Sequence, residues 1–293
     1  QTLSLRATLS GYRRLYELSF TEPWLFDLPL WMKTDLWNIE REYDTYTLEA
    51  IGFGMTFGYP LWEKIYGSIG YRLSNDTVKD ILSTASAYTK SQEGTTVTSS
   101  MTAAINRDST NDTMFPSQGS RNSIAVTYAG GFLQGDSEFT RFGATSFWFF
   151  PLPWDTVFSI GGRWGYITSN SDKPIPIYER YYLGGINSLR GLRNVGPTDP
   201  ATGEFIGGLT MMSYTAEYIF PVLKSAGLRG VVFFDTGNAW ESGYHFDDLR
   251  RTTGVGVRWY SPIGPLRLEW GYVLDRREGD DPFRWEFSMG MMM

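Results

Sequence analysis

With 293 residues the chain has room for one large domain or two ordinary ones, and its net charge of -6, carried without a basic stripe, excludes a nucleic-acid binder. Aromatic residues make up 16% of it and glycine contributes 32 positions, which favours strands with bends and tight turns over helices. No window approaches the roughly 18 consecutive apolar residues that a transmembrane helix needs, and zero Cys with a single His removes disulfides, thiolate metal sites and nearly all material for Ser-His-acid catalysis.

Gln1 opens directly in a strand-like pattern, without Met, a basic stretch or a small-residue cleavage site, so a processed or truncated chain is expected. Period-two alternation then predicts strands near 2–10, 14–21, 29–38, 46–59, 65–74, 95–106, 121–130, 139–150 and 156–167. It continues through Leu209–Phe220, Leu228–Gly237, Thr252–Tyr260, Pro265–Tyr272 and Phe283–Met293, about fourteen strands in all. The last is the cleanest: Phe283, Trp285, Phe287, Met289, Met291 and Met293 alternate with Arg284, Glu286, Ser288, Gly290 and Met292. One greasy and one wet face per strand suits a closed antiparallel ring in lipid, where backbone groups bond to neighbours and hydrocarbon shows on alternate residues only.

The connections support the same architecture. Pro60–Lys64, Pro151–Asp155, Pro221–Ala226 and Ser261–Gly264 are short; Asn75–Gly94, Thr168–Gly208, Asn238–Arg250 and Asp275–Pro282 are long. A barrel with short periplasmic turns and long external loops predicts that alternation, the polar link Arg107–Ser120 being an exception on the short side. Trp24, Phe26, Tyr59, Trp62, Trp154 and Tyr260 flank the short turns and are expected to form an interfacial girdle. Asp108, Asn111 and Asp112 lack the glycine and final glutamate of an EF-hand spacing and read as a solvated turn. Neither a metal nor a cofactor is called for.

The 168–208 connection is too long for an ordinary hairpin. At its centre, hydrophobic residues and an arginine stand among glycines in Gly184-Gly185-Ile186-Asn187-Ser188-Leu189-Arg190-Gly191-Leu192. The following strands carry inward carboxylates at Glu217 and Asp235, the latter within Phe233-Phe234-Asp235-Thr236-Gly237. If the loop folds into the barrel, Arg190 is placed to pin it through a bidentate pair with Asp235.

The 184–192 segment resembles the lumenal loop motif of the BamA and two-partner-secretion transporter superfamily, Leu189 and Leu192 standing where Val and an aromatic are usual. Phe233-x-Asp235-x-Gly237 is similar to that family's companion strand motif, and Ser261–Leu266 to the turn before its penultimate strand. Tyr16–Trp24 and Phe115–Gly119 extend the likeness over essentially the whole chain. Phe287, Gly290 and Met293 resemble its C-terminal strand signal, with Met293 in place of an aromatic.

The resemblance implies an outer-membrane β-barrel over 1–293, about fourteen strands of a 16-strand family barrel, preceded in the family by POTRA domains and two further strands. It also implies that Arg190 contacts Asp235 with Glu217 nearby. The expected activity is non-enzymatic: insertion of client β-barrel proteins into the outer membrane by strand-edge templating at a seam, with accessory lipoproteins and membrane lipids as partners. The alternatives are a protein-translocating barrel of the two-partner-secretion or TamA type, and a passive porin-like channel.

Overall fold

A computed structural model of the chain describes residues 1–261 and 264–290. Among the described residues fourteen antiparallel strands follow one another in chain order across one sheet. The first nine are β1 (Thr2–Ser10), β2 (Arg13–Glu22), β3 (Trp31–Glu42), β4 (Thr47–Trp62), β5 (Ile65–Lys79), β6 (Gly94–Asp108), β7 (Gly119–Ala129), β8 (Phe139–Leu152) and β9 (Thr156–Ser169). The remaining five are β10 (Thr210–Leu223), β11 (Leu228–Trp240), β12 (Arg250–Ser261), β13 (Gly264–Val273) and β14 (Phe283–Met289). Every predicted strand is present, because alternation and turn residues report local geometry that the next strand only confirms.

Alternation sorts the two faces. On the outside stand Val255, Val257 and Trp259 of β12, Leu268, Trp270 and Tyr272 of β13, and Phe283, Trp285 and Phe287 of β14, all exposed. Trp270 and Trp285 are directly opposite in register and their rings stack at 4.9 Å, the cross-strand pairing that stabilises a sheet face. Among the described residues no helix is long and apolar enough to cross a membrane.

Expectation and structure part in three places. The ring is not closed among the described residues: β1 pairs with β2 alone, β14 with β13 alone, and every residue of β1 is exposed. The long-loop side also carries two short connections, 11–12 and 43–46, and the short-turn link 109–118 is as long as the 130–138 loop after it, so loop length alternates cleanly only from β7 onward. The 109–118 link does lie on the short-turn side, where Asp108, Asn111 and Asp112 accept hydrogen bonds from amides of their own turn.

The third concerns the girdle. Trp24, Phe26, Tyr59, Trp62 and Trp154 are exposed beside the short turns. Tyr260 is not one of them. It shares the inward parity of Arg258, lies against Phe115 and has the Arg229 guanidinium over its ring at 5.5 Å.

Apolar burial is concentrated inside the sheet, where the 170–209 loop folds back. Leu183, Leu189, Leu192 and Val195 of the loop pack with Ala239 and Val273 of the wall, while Ile175 packs with Ala129, Phe139 and Ile167. Isolated bridges Tyr181–Gly208, Leu183–Val195 and Thr198–Phe205 give the loop a hairpin-like spine of its own.

Candidate functional site

Five adjacent strands, β10 to β14, present their inward residues in rows fixed by register. Thr215 faces Asp235, which faces Thr252; Glu217 faces Phe233, which faces Gly254, which faces Gly271; Gly256 faces Glu269, which faces Glu286; Arg258 faces Arg267. The glycine row leaves a recess in an otherwise polar wall. Into it the loop lowers Arg190.

The guanidinium is 2% exposed and all five of its N–H groups are engaged. Nε and Nη2 grip Asp235 at 2.7 and 2.6 Å in a bidentate pair. Nη1 donates to Glu217 at 2.7 Å and to Glu269 at 2.8 Å, and Nη2 reaches the Thr215 hydroxyl at 2.9 Å. The Arg190 amide also donates to Asp235 at 3.2 Å, and its guanidinium lies 3.6 Å from the centre of the Phe233 ring.

Three carboxylates around one cation would repel one another, and the wall answers with two further arginines. Arg258 donates to Glu217 at 2.6 and 2.9 Å and to Glu269 at 2.8 Å. Arg267 holds Glu269 at 3.1 and 3.0 Å and the Ile186 carbonyl of the loop at 3.2 Å. Arg258 and Arg267 are opposite in register, a destabilising like-charge pair unless the acids between them neutralise it. Three guanidiniums and three carboxylates make the cluster neutral, the condition for burying it so deeply.

Backbone shape matters as much as charge. A Cβ at Gly271 would lie 2.5 Å from the Arg190 carbonyl, and one at Gly191, whose φ is +96°, would lie 2.8 Å from the Gly271 backbone. The two glycines let loop and wall touch backbone to backbone. Above them the loop closes on itself: the Gly184 amide donates to the Ser188 hydroxyl at 2.8 Å and the Gly185 amide to the Leu192 carbonyl at 2.8 Å. Arg163 of β9 donates to the Asn187 carbonyl.

The structure therefore joins Gly184, Gly185, Leu189, Arg190, Gly191 and Leu192 with Glu217, Phe233 and Asp235. Leu189 and Leu192, at the positions where Val and an aromatic are the family's usual choice, are buried in the loop's apolar cluster. Gly237 lies one inward step along β11, opposite Ser213 and Arg250. Phe287 is exposed on the outer face and the Gly290 amide donates to the Pro265 carbonyl at 2.9 Å, remote from the cluster. Met291, Met292 and Met293 of the predicted last strand, and Pro262 with Ile263 of the penultimate turn, lie outside the described residues. Sequence reasoning missed Glu269, Arg258 and Arg267 as partners. Their wet-face parity was readable, but not the register that brings them together.

At its outer end the loop is tied to distant strands. Glu204 accepts from the Ser86 amide at 2.6 Å, the Thr89 hydroxyl at 3.0 Å and the Thr45 hydroxyl. Burial works against its charge, yet these bonds outweigh it and hold the carboxyl below the usual glutamate range. The Ile177 amide donates to Gln92 at 2.9 Å, and Arg193 pairs with Asp44 at 3.0 Å. One loop thus holds the turns and loops joining β3 to β6 at one end and the wall of β10 to β13 at the other.

Residues 1–293 match the Omp85 superfamily domain. A protein of Nitratidesulfovibrio vulgaris named outer membrane protein assembly factor BamA is 34% identical over 98% of this chain and 37% of its own length. One of the same name from Neisseria meningitidis is 28% identical over 64% of this chain and 28% of its own. The chain thus spans roughly a third of these relatives' length. The crystal structure of BamA from Haemophilus ducreyi lacking POTRA domains 1-3 shares the fold, with a TM-score of 0.83 over 97% of this chain and 63% of that one at 21% identity.

Proposed function

The chain belongs to the Omp85 superfamily, and from that premise we propose that it is the barrel of a bacterial outer-membrane protein assembly factor, which inserts client β-barrels without a chemical step of its own. The observation that carries this reading is the 34% identity along 98% of the chain to a protein named for that task. In this reading 1–293 is one barrel domain, with POTRA domains and the first two strands of a 16-strand barrel lying outside it. Client outer-membrane proteins, accessory lipoproteins and outer-membrane lipids are its partners.

The geometry is consistent with a mechanism of edge templating. A strand edge presents unpaired N–H and C=O groups that pair with an incoming strand. Such templating needs one mobile edge and one rigid wall against which it works. The neutral cluster under Arg190 stiffens β10 to β13, and the loop ties that wall to β3–β6. Arg190 is thus a structural clamp, with Asp235, Glu217 and Glu269 as its anvil.

The test is reconstitution of the intact protein in liposomes with a urea-unfolded client barrel. Client folding is expected to run at least several-fold faster than on empty liposomes, and Arg190→Ala to remove most of the gain. Equal rates with and without the protein would sink the assignment; steady conductance without client folding would favour a channel.

A further inference from the structure

Beneath the Arg190 cluster, on the short-turn side, lies a cavity of about 280 Å³. Its roof is the cluster itself, through Glu217, Arg258 and Arg267, and Phe115 of the 109–118 turn stands in its wall against Tyr260. The turn is fixed in place: Arg121 pairs with Asp108 at 3.0 Å and donates to the Thr113 carbonyl at 3.2 Å.

The lining is two-sided in chemistry. Five arginines contribute against the single carboxylate of Glu217, which Arg190 and Arg258 already occupy. The rest is dominated by aromatic and aliphatic side chains, Phe147, Phe149, Tyr260 and Ile219 among them. Arg163 is stacked over the Phe147 ring at 5.1 Å and Arg229 over Tyr260 at 5.5 Å. Arg163 spends an N–H on the Asn187 carbonyl; at Arg229 the ring contact engages the face of the guanidinium, and a carboxylate is recognised through the N–H edge. Among the described residues no carboxylate lies within ion-pairing distance of Arg229, and Asp155, whose charge is felt there, is bound to Lys224.

We propose that this chamber is a binding site for a small aromatic carboxylate, its carboxylate forked by Arg229 and its ring among Phe147, Phe149 and Tyr260. The cavity sits near the lower end of the roughly 300–1,000 Å³ of ligand pockets, which suits one ring and a short chain. A planar guanidinium edge matches a carboxylate in bidentate geometry. A monoanion also supplies the partly buried Arg229 with a charge partner that a neutral ligand lacks.

The experiment is fluorine NMR of 3-(4-fluorophenyl)propionate titrated into the intact protein in nonionic micelles, with the corresponding amide as neutral control. The acid is expected to show saturable binding that the amide lacks. Arg229→Gln is expected to weaken it at least tenfold. Ile219→Trp, which fills the cavity and keeps every charge, is expected to abolish it, folding of both variants being checked by gel mobility without heating. Equal binding of acid and amide, or acid binding unchanged in either folded variant, would place the probe in the micelle and overturn the site.

Discussion

At the scale of single residues, Arg190 is defined by the count of its donors. Lysine keeps the charge but has three N–H groups where the site offers five acceptors. Arg190→Lys therefore removes at least two of the five hydrogen bonds, each to a buried charged or polar partner and worth about 1–3 kcal/mol. Arg190→Ala leaves three buried acids facing one another, a loss of about 3–5 kcal/mol, to be read from the urea midpoint of unfolding in micelles. Exchanging Arg190 with Asp235 does not repair this, contrary to what a simple pair would allow, because an aspartate at 190 would face Glu217 and Glu269. Gly271→Ala tests the backbone contact: it is expected to lift the tip and expose the 184–192 segment to protease while every charge stays in place. Arg190, Asp235 and Glu217 were legible in the sequence from motif and parity. Their three further partners were not, because alternation within a strand says which way a side chain faces and nothing of which neighbour it meets.

At the scale of elements, the strands were readable and the loop's course was not. A strand announces itself in every second residue; the attachment of Glu204 to Ser86, Thr89 and Thr45 joins residues more than a hundred positions apart, with no local pattern to mark it. That attachment depends on pH. Its folded pKa is lowered, so its contribution is complete above the ordinary glutamate value near 4.5 and is lost as the pH falls through the lower folded value. Protease cleavage within 196–207 is expected to accelerate below about pH 4.5, and Glu204→Gln to bring the faster rate to neutral pH. A rate flat with pH in the native protein, or unchanged by Glu204→Gln, would show that the loop is held by its other contacts alone.

At the scale of the whole molecule, the sequence led to the class, the strand number and the order, and the ring it implied is open among the described residues. Stability is graded around the sheet: β1 has one neighbour and no sheltered residue, whereas β10–β13 enclose the ion cluster. Hydrogen–deuterium exchange of the 293-residue chain in micelles is expected to be at least tenfold faster in 2–10 than in 228–240, and uniform protection would contradict that gradient. The span of the cluster along the chain also sets an order of events. Arg190 cannot complete its bonds until Glu269, 79 residues later, has been threaded and aligned, so docking of the loop tip must come near the end of folding. A seated arginine is then a record that the last long hairpins found their register, and a chain that misaligned them would carry its loop undocked, open to the proteases that clear failed intermediates.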